Sequence, residues 1–209
     1  MSTSSSSISS ADENSVFEYP IHDLIARRRS GVAFSAKPVE AEKLHSLLEA
    51  ARWAASCFNE QPWSFIVTTQ ENRPDYDRLL GCLVEGNIAW AQSAPVLMLS
   101  VARLNFLATG KPNRHALHDV GQAAANLALQ ATALGLMVHQ MAGFNLQKAR
   151  DEFSIPENHE PVAAIAVGYP GDAAGLSVKL RQRELAPRKR KLQKTFIFSG
   201  QWGCAEFNR

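Results

Sequence analysis

Residues 95–102, with the sequence PVLMLSVA, constrain the fold more than any other part of the chain. A short run that is apolar at nearly every position predicts a strand that is buried on both faces. Residues 161–168, PVAAIAVG, predict a second strand of this kind. Residues 65–69 and 136–141 predict two further, shorter strands.

Segments with apolar residues at helical spacing alternate with these strands. The strongest is residues 115–134, which is apolar nearly all round and stops at Gly135, and which predicts a helix inside a core or at an oligomer interface. The alternation predicts an α+β or α/β layered domain. Further helices are predicted at residues 20–30, 38–55, 75–83, 87–92 and 146–153.

Composition narrows the class of protein. The chain has 209 residues, 45% of them hydrophobic, which indicates one globular domain, here residues 17–209. Its net charge of +2 is too small to imply nucleic acid as a partner. Residues 1–16 are Ser-rich and predict a disordered leader rather than a signal peptide. Three cysteines without metal-ligand spacing predict no metal site, and no apolar run is long enough for a membrane span. The odd, sparse cysteine count suits a reducing compartment better than a disulfide scaffold, so we expect a cytoplasmic protein.

An arginine cluster follows the first predicted helix. Arg27, Arg28 and Arg29 precede Ser30, and guanidinium groups beside a hydroxyl suit a bound phosphate. The alternative is a solvated basic patch at a helix C-terminus, where cations are favoured.

A second basic cluster lies near the C-terminus, where Glu184 is the only acid among residues 179–194. Such a run is usually a solvated face, and it also resembles a nucleic-acid-binding stretch. It has no interleaved aromatic residues, which argues against nucleic acid. The two basic clusters could instead converge on one phosphate. The eight basic residues are Lys179, Arg181, Arg183, Arg188, Lys189, Arg190, Lys191 and Lys194.

Residues 55–63, ASCFNEQPW, form a polar loop between a helix and a strand. Polar side chains on a loop held by rigid elements are typical of ligand contact. Because Gln61 precedes a proline, we expect it to be extended. The alternative is a capped turn in which Trp63 anchors the following strand in the core.

These motifs occur together, in an order that resembles the FMN-dependent nitroreductase family over residues 21–203. The matching features are Arg28-Arg29-Ser30 with Phe34, residues 56–63 as a version of SxxNxQPW, Asn87 with Trp90, the strand from Pro95, residues 134–136, residues 142–144, Ile155-Pro156, residues 167–170, and Arg188 with Arg190.

The resemblance implies an α+β fold with three α/β/α layers, helices on both faces of the sheet, and an intertwined homodimer that binds FMN at its interface. Arg28, Arg29 and Ser30 would hold the FMN phosphate from the N-terminal side. Arg188 and Arg190 would hold it from the C-terminal side.

The resemblance also implies which residues contact the flavin ring. Ser56 and Asn59 of the second protomer would contact the ring or the ribityl chain, with Gln61 a weaker candidate. Asn87 would bond the pyrimidine edge. The backbone of Ala142 and Gly143 would face N5 and O4.

Three positions depart from the family pattern or are left open by it. Val32 stands where many relatives carry a basic residue, and Trp90 stands where some carry lysine. Asp119 aligns with a position near the flavin, and the alternative is a polar residue exposed at the dimer surface.

The implied activity is hydride transfer from NAD(P)H through FMN to a small flat acceptor, such as a nitroaromatic or a quinone, without a catalytic side chain. Other chemistry within the same family is the alternative: enone reduction, reductive dehalogenation or dehydrogenation. A flavin-binding protein without catalysis and a basic nucleic-acid-binding protein are the remaining alternatives. No nucleic acid and no membrane are expected as partners.

Overall fold

The computed structural model describes residues 17–204. The predicted leader, residues 1–16, lies outside this part of the chain. Within it, residues 17–27 and 186–204 belong to one compact unit, and residues 28–185 form a second, larger unit. The two units are described separately.

The larger unit contains a four-stranded sheet in the order β1-β2-β4-β3. Every neighbouring pair in it is antiparallel, so the layered domain expected from the sequence is α+β rather than α/β. The long strands β2 and β4 lie at the centre, which explains why their sequences are the most apolar. The strands are β1 (Trp63–Thr69), β2 (Val96–Arg103), β3 (Met137–Met141) and β4 (His159–Gly168).

Helices connect the strands. Among the described residues there are seven α-helices, one in the smaller unit and six in the larger. Their bounds lie within a few residues of the predicted ones, with two exceptions, α1 and α7. The helices are α1 (Asp23–Arg27), α2 (Ala41–Arg52), α3 (Arg73–Leu80), α4 (Glu85–Ala91), α5 (Ala116–Ala133), α6 (Leu146–Glu152) and α7 (Val178–Leu185).

Both faces of the sheet are covered by helices, as the apolar strands predict. Leu97 and Leu99 of β2 pack in one core cluster with α3 and α4, while Val96 and Met98 pack in another with α2 and α5. Because side chains alternate between the faces of a strand, a strand covered on both sides must be apolar throughout. The prediction of burial on both faces for residues 95–102 is therefore confirmed.

Helix α5 is the most buried helix. Its apolar side chains, among them Leu127, face the sheet, and small residues such as Ala123 allow α2 to pack closely. The helix ends because Gly135 adopts a left-handed φ of 72° and the N–H of Leu136 donates to the carbonyl of Ala131 at 2.8 Å. This is the glycine stop that the sequence predicts.

Two helices differ from the predictions. Helix α1 begins at Asp23, where the ring of His22 accepts a hydrogen bond from the N–H of Leu24 at 3.2 Å, and it ends at Arg27, before Arg28-Arg29-Ser30. The prediction of one helix over residues 20–30 is wrong. Helix α7 was not predicted, because its sequence VKLRQREL shows no apolar stripe. Its buried residue is the charged Glu184.

A short antiparallel bridge continues the sheet beyond β4. Phe34 pairs with Pro170. The N–H of Ser35 donates to the carbonyl of Tyr169 at 2.9 Å, and that of Gly171 donates to the carbonyl of Ala33 at 2.8 Å. This pairing holds the segment that follows Arg28-Arg29-Ser30 against the end of β4.

Candidate functional site

Residues 28–30 have no regular secondary structure, and in this short segment, called the turn below, the predicted phosphate ligands lie together. Arg28 Nη1 donates to Ser30 Oγ at 3.2 Å. Both arginines are half-buried and Ser30 is exposed. The turn therefore presents guanidinium and hydroxyl groups at the surface, a donor set that suits an anion.

Glu184 of α7 fixes this turn, a role that the sequence did not reveal. Its carboxylate is buried, and Oε2 accepts hydrogen bonds from the N–H groups of Val32 at 2.5 Å and Ala33 at 3.2 Å. Its Oε1 pairs with Arg29 Nη2 at 3.0 Å, and the same Nη2 donates to the backbone carbonyl of Glu184. A buried carboxylate needs such partners.

His139 of β3 holds the same turn from the other side. Its Nδ1 lies 2.8 Å from the carbonyl oxygen of Gly31, and its Nε2 lies 3.2 Å from Arg183 Nη2. Because a carbonyl only accepts and a guanidinium only donates, the ring is neutral with its proton on Nδ1. Burial, opposed in part by the hydrogen bond to Gly31, lowers the pKa of His139. The ring of Trp90 packs against it with centroids 4.4 Å apart.

This arrangement predicts a loss of stability in mild acid. The unfolded chain takes up a proton near the ordinary histidine pKa of 6.5, whereas the folded chain resists protonation at His139. The contribution of His139 is therefore complete above that pKa and is lost progressively as the pH falls from it to the lower pKa of the folded chain. We expect the free energy of unfolding, measured with urea, to fall between about pH 7.5 and about pH 5.5. The fall should be smaller in His139→Gln. A variant at the exposed His45 of α2, His45→Gln, is the control, and an unchanged slope in His139→Gln would contradict the assignment.

The loop after β3 meets the start of α4, which brings together Asn87 and Gly143. Asn87 Nδ2 donates to the carbonyl of Gly143 at 3.0 Å, and the N–H of Val84 donates to the same oxygen at 3.0 Å. A side chain at residue 143 would displace Asn87, because a Cβ there would lie 2.7 Å from Asn87 Nδ2. Ala142 is exposed, and the N–H of Gly143 makes no hydrogen bond to any described residue.

The polar loop at residues 56–61 is strained and is anchored at both ends. Phe58, Asn59 and Gln61 all have a positive φ, at 53°, 55° and 48°. Ser56 Oγ accepts a hydrogen bond from the N–H of Gln61 at 3.0 Å, and the side chain of Glu60 pairs with Arg103 at 2.6 Å. Backbone strain of this kind persists only where the surroundings impose it, and it is frequent at ligand sites.

The loop corrects the expectation that Gln61 is extended. Its φ of 48° lies in the left-handed region, although a proline follows. The hydrogen bond of its N–H to Ser56 and that of its Nε2 to the carbonyl of Asn59, at 3.2 Å, hold it there. Trp63 packs against two core clusters, as the anchoring alternative supposed.

Asp119 supports this loop from helix α5. Its side chain is 2% exposed, and Oδ2 accepts a hydrogen bond from the N–H of Cys57 at 3.0 Å. The alternative of an exposed polar residue at position 119 is therefore wrong. The carboxylate of Asp119 supplies the acceptor that the N–H of Cys57 needs at the start of the loop, where no backbone carbonyl of residues 17–204 accepts from it.

Arg188 and Arg190 lie in the smaller unit. Arg188 Nη2 donates to the carbonyl of Ala26 at 2.6 Å, at the end of α1. Arg190 is exposed, and its Nη1 donates to the carbonyl of Lys189 at 2.8 Å. Their assignment to the phosphate stays a prediction.

The two departures from the family pattern are both core residues. Val32 is fully buried, and Trp90 stacks on Phe34 with ring centroids 6.1 Å apart. An apolar residue at position 32 fits this core, where a basic side chain would need a partner.

Within the described part of the chain, no group of three or more His, Cys, Asp or Glu side chains could hold a metal ion. None of the helices in residues 17–204 is both long and apolar enough to cross a membrane.

Comparison with solved structures defines the class of protein. A structure described as an oxidoreductase containing FMN is similar to the chain, with a TM-score of 0.87 and 32% identity over 93% of this chain and 99% of that one. A nitroreductase family protein from Clostridium difficile 630 superposes with a TM-score of 0.65 and 25% identity over 85% of this chain and 96% of that one. The fold is that of a nitroreductase-type oxidoreductase.

The sequence comparisons identify the family. The model described as the nitroreductase family matches residues 25–169, and the chain belongs to this family. A protein of Archaeoglobus fulgidus, provisionally named NADH dehydrogenase/NAD(P)H nitroreductase, is 27% identical over 71% of this chain and 84% of its own length. The resemblance stated from the sequence is confirmed.

Proposed function

We propose that the protein is an FMN-dependent oxidoreductase that uses NAD(P)H to reduce a small flat acceptor, such as a nitroaromatic or a quinone. The observation that carries this proposal is the turn at residues 28–30. Two guanidinium groups and a hydroxyl lie together there on a backbone that Glu184 and His139 hold in place. The FMN in the description of one similar structure and the NAD(P)H in the name of the Archaeoglobus fulgidus relative support it.

The residues present fit FMN. Arg28 and Ser30 offer donors to a phosphate, and Arg29 adds its Nε and Nη1, which make no hydrogen bond to residues 17–204. Arg188 and Arg190 would complete the phosphate site. A dianionic phosphate takes several charge-assisted hydrogen bonds, so this donor set matches its demand.

The chain also offers groups to the flavin ring. The hydrogen bond from Asn87 Nδ2 to the carbonyl of Gly143 orients the Asn87 side chain. Its Oδ1 and its second N–H would then bond the pyrimidine edge of the flavin ring. The N–H of Gly143 has no described acceptor, and with Ala142 it would face N5 and O4. When bound, FMN supplies the redox chemistry that side chains lack. The protein orients the ring and sets its surroundings.

Ser56, Asn59 and Gln61 would complete the site from the second protomer of a homodimer. Support for a dimer comes from large apolar side chains that are exposed in the larger unit, among them Phe58 at 89% and Leu107 at 79%. Exposed apolar surface of this kind often marks an interface. Gel filtration tests this part, since a monomer that retains FMN would contradict an interface site.

An anaerobic absorbance spectrum tests the function. The purified protein is expected to show visible flavin bands that bleach with NADPH or NADH and return when a quinone or a nitroarene is added. A protein that binds no added FMN and consumes no NAD(P)H would overturn the proposal. Flavin that binds but is not reduced would indicate the non-catalytic alternative.

A further inference from the structure

We propose that Glu184 is a positioning residue for the flavin phosphate, and that it sets the preference of the protein for FMN over riboflavin, which lacks the phosphate. This inference rests on the proposed function. It assigns a role to the one acidic residue of the basic run at residues 179–194.

The first argument is the number of groups that Glu184 holds. Its two carboxylate oxygens bind the N–H of Val32, the N–H of Ala33 and the guanidinium of Arg29. Val32 and Ala33 belong to the segment that continues directly from the turn, and Arg29 belongs to the turn itself. One side chain on α7 therefore determines both the course of the backbone after Ser30 and the direction of the Arg29 side chain.

The second argument is how Arg29 is held. Only Nη2 is used by Glu184, and the arginine side chain is 38% exposed. A guanidinium carries five N–H donors in a rigid fork, so fixing one nitrogen orients the others. The ion pair thus reduces the freedom of Arg29 without occupying the donors that a phosphate would use.

The third argument is the close fit of Gly31. A Cβ at this position would lie 2.7 Å from Glu184 Oε1 and would also meet the sulfur of Met137. His139 binds the carbonyl of the same glycine at 2.8 Å, and Glu184 binds the next N–H along the chain, that of Val32. Because two consecutive backbone groups are held, the turn has little freedom to adopt another conformation.

The test compares two flavins on protein freed of cofactor. Glu184→Gln keeps the size of the side chain and an acceptor oxygen, but its amide no longer attracts Arg29. We expect the dissociation constant of FMN to rise about tenfold and that of riboflavin to change less than about twofold, as read from flavin fluorescence. The ratio of the two constants is the readout, because a merely structural loss would weaken both flavins alike.

Glu160→Gln is the matched control. Glu160 lies on strand β4 of the same unit and forms an ion pair with Arg150 at 3.2 Å. It forms no ion pair with residues 28–33. Its removal should leave the preference for FMN unchanged.

Arg29→Met provides an independent variant should Glu184→Gln fail to fold. It should lower the FMN preference by a similar factor. Glu184→Gln should then have a smaller effect on the preference in the Arg29→Met background than it has in the wild type. A preference retained in Glu184→Gln, or in Arg29→Met, would overturn the inference while the proposed function stands. A wild-type protein that binds both flavins equally would also overturn it. If the wild type binds neither flavin, the proposed function itself fails.

Discussion

Alanine at both Arg188 and Arg190 is expected to raise the dissociation constant of FMN about a hundredfold. Each charge-assisted hydrogen bond contributes about 1.5–3 kcal/mol, and about 1.4 kcal/mol corresponds to a factor of ten. Riboflavin binding should change much less, because it lacks the phosphate that these arginines are proposed to hold. Equilibrium dialysis or fluorescence titration of the cofactor-free protein measures both constants.

The same segment offers a matched control. Lys189 and Lys191 flank Arg190 and are exposed, so Lys189→Ala with Lys191→Ala removes the same net charge from the same stretch of chain. This control separates the position of the arginines from the general attraction of a basic surface. Equal losses in the two double variants would show that only net charge matters, and the phosphate assignment would be wrong.

Gly171→Ala is expected to lower the free energy of unfolding by about 2–3 kcal/mol. A Cβ at this residue would lie 2.5 Å from the carbonyl carbon of Phe34 and 2.8 Å from the N–H nitrogen of Ser35. Both are backbone atoms, which cannot rotate away as a side chain would. The substitution would break the bridge that holds residues 33–35 against the end of β4. Urea unfolding of the cofactor-free protein, followed by circular dichroism, measures the change.

Gly175→Ala is the control for this substitution. A Cβ at residue 175 would meet nothing within 4 Å, and the residue does not have a positive φ. Its effect should stay within about 0.5 kcal/mol. A similar loss of stability in both variants would mean that the close approach of Gly171 to the backbone of Phe34 has no energetic consequence.

Much of the fold follows from the local pattern of the sequence. Residues 95–102 predicted a buried strand that the structure places at Val96–Arg103, and residues 115–134 predicted the helix Ala116–Ala133. Such elements are recognisable because burial on one face leaves a periodic pattern of apolar residues, and burial on both faces leaves a continuous apolar run. Helix α7 leaves no such trace, because its sequence has no apolar stripe.

The candidate site was predictable only in part. The resemblance supplied residues that the structure brings into contact, as with Arg28 and Ser30 or Asn87 and Gly143. It did not supply Glu184. In the sequence this residue is one acid among many basic ones, and nothing in its neighbours shows that its carboxylate is buried.

The sequence by itself determined where the strands and most helices lie, the glycine stop at Gly135 and the membership of a family. Only the tertiary structure decided the antiparallel order of the sheet and the identity of the groups that hold residues 28–33. The physical reason is distance along the chain: Glu184 and Arg29 are separated by 155 positions. Periodicity records whether a residue is buried, but which distant partner it meets depends on how the whole chain packs.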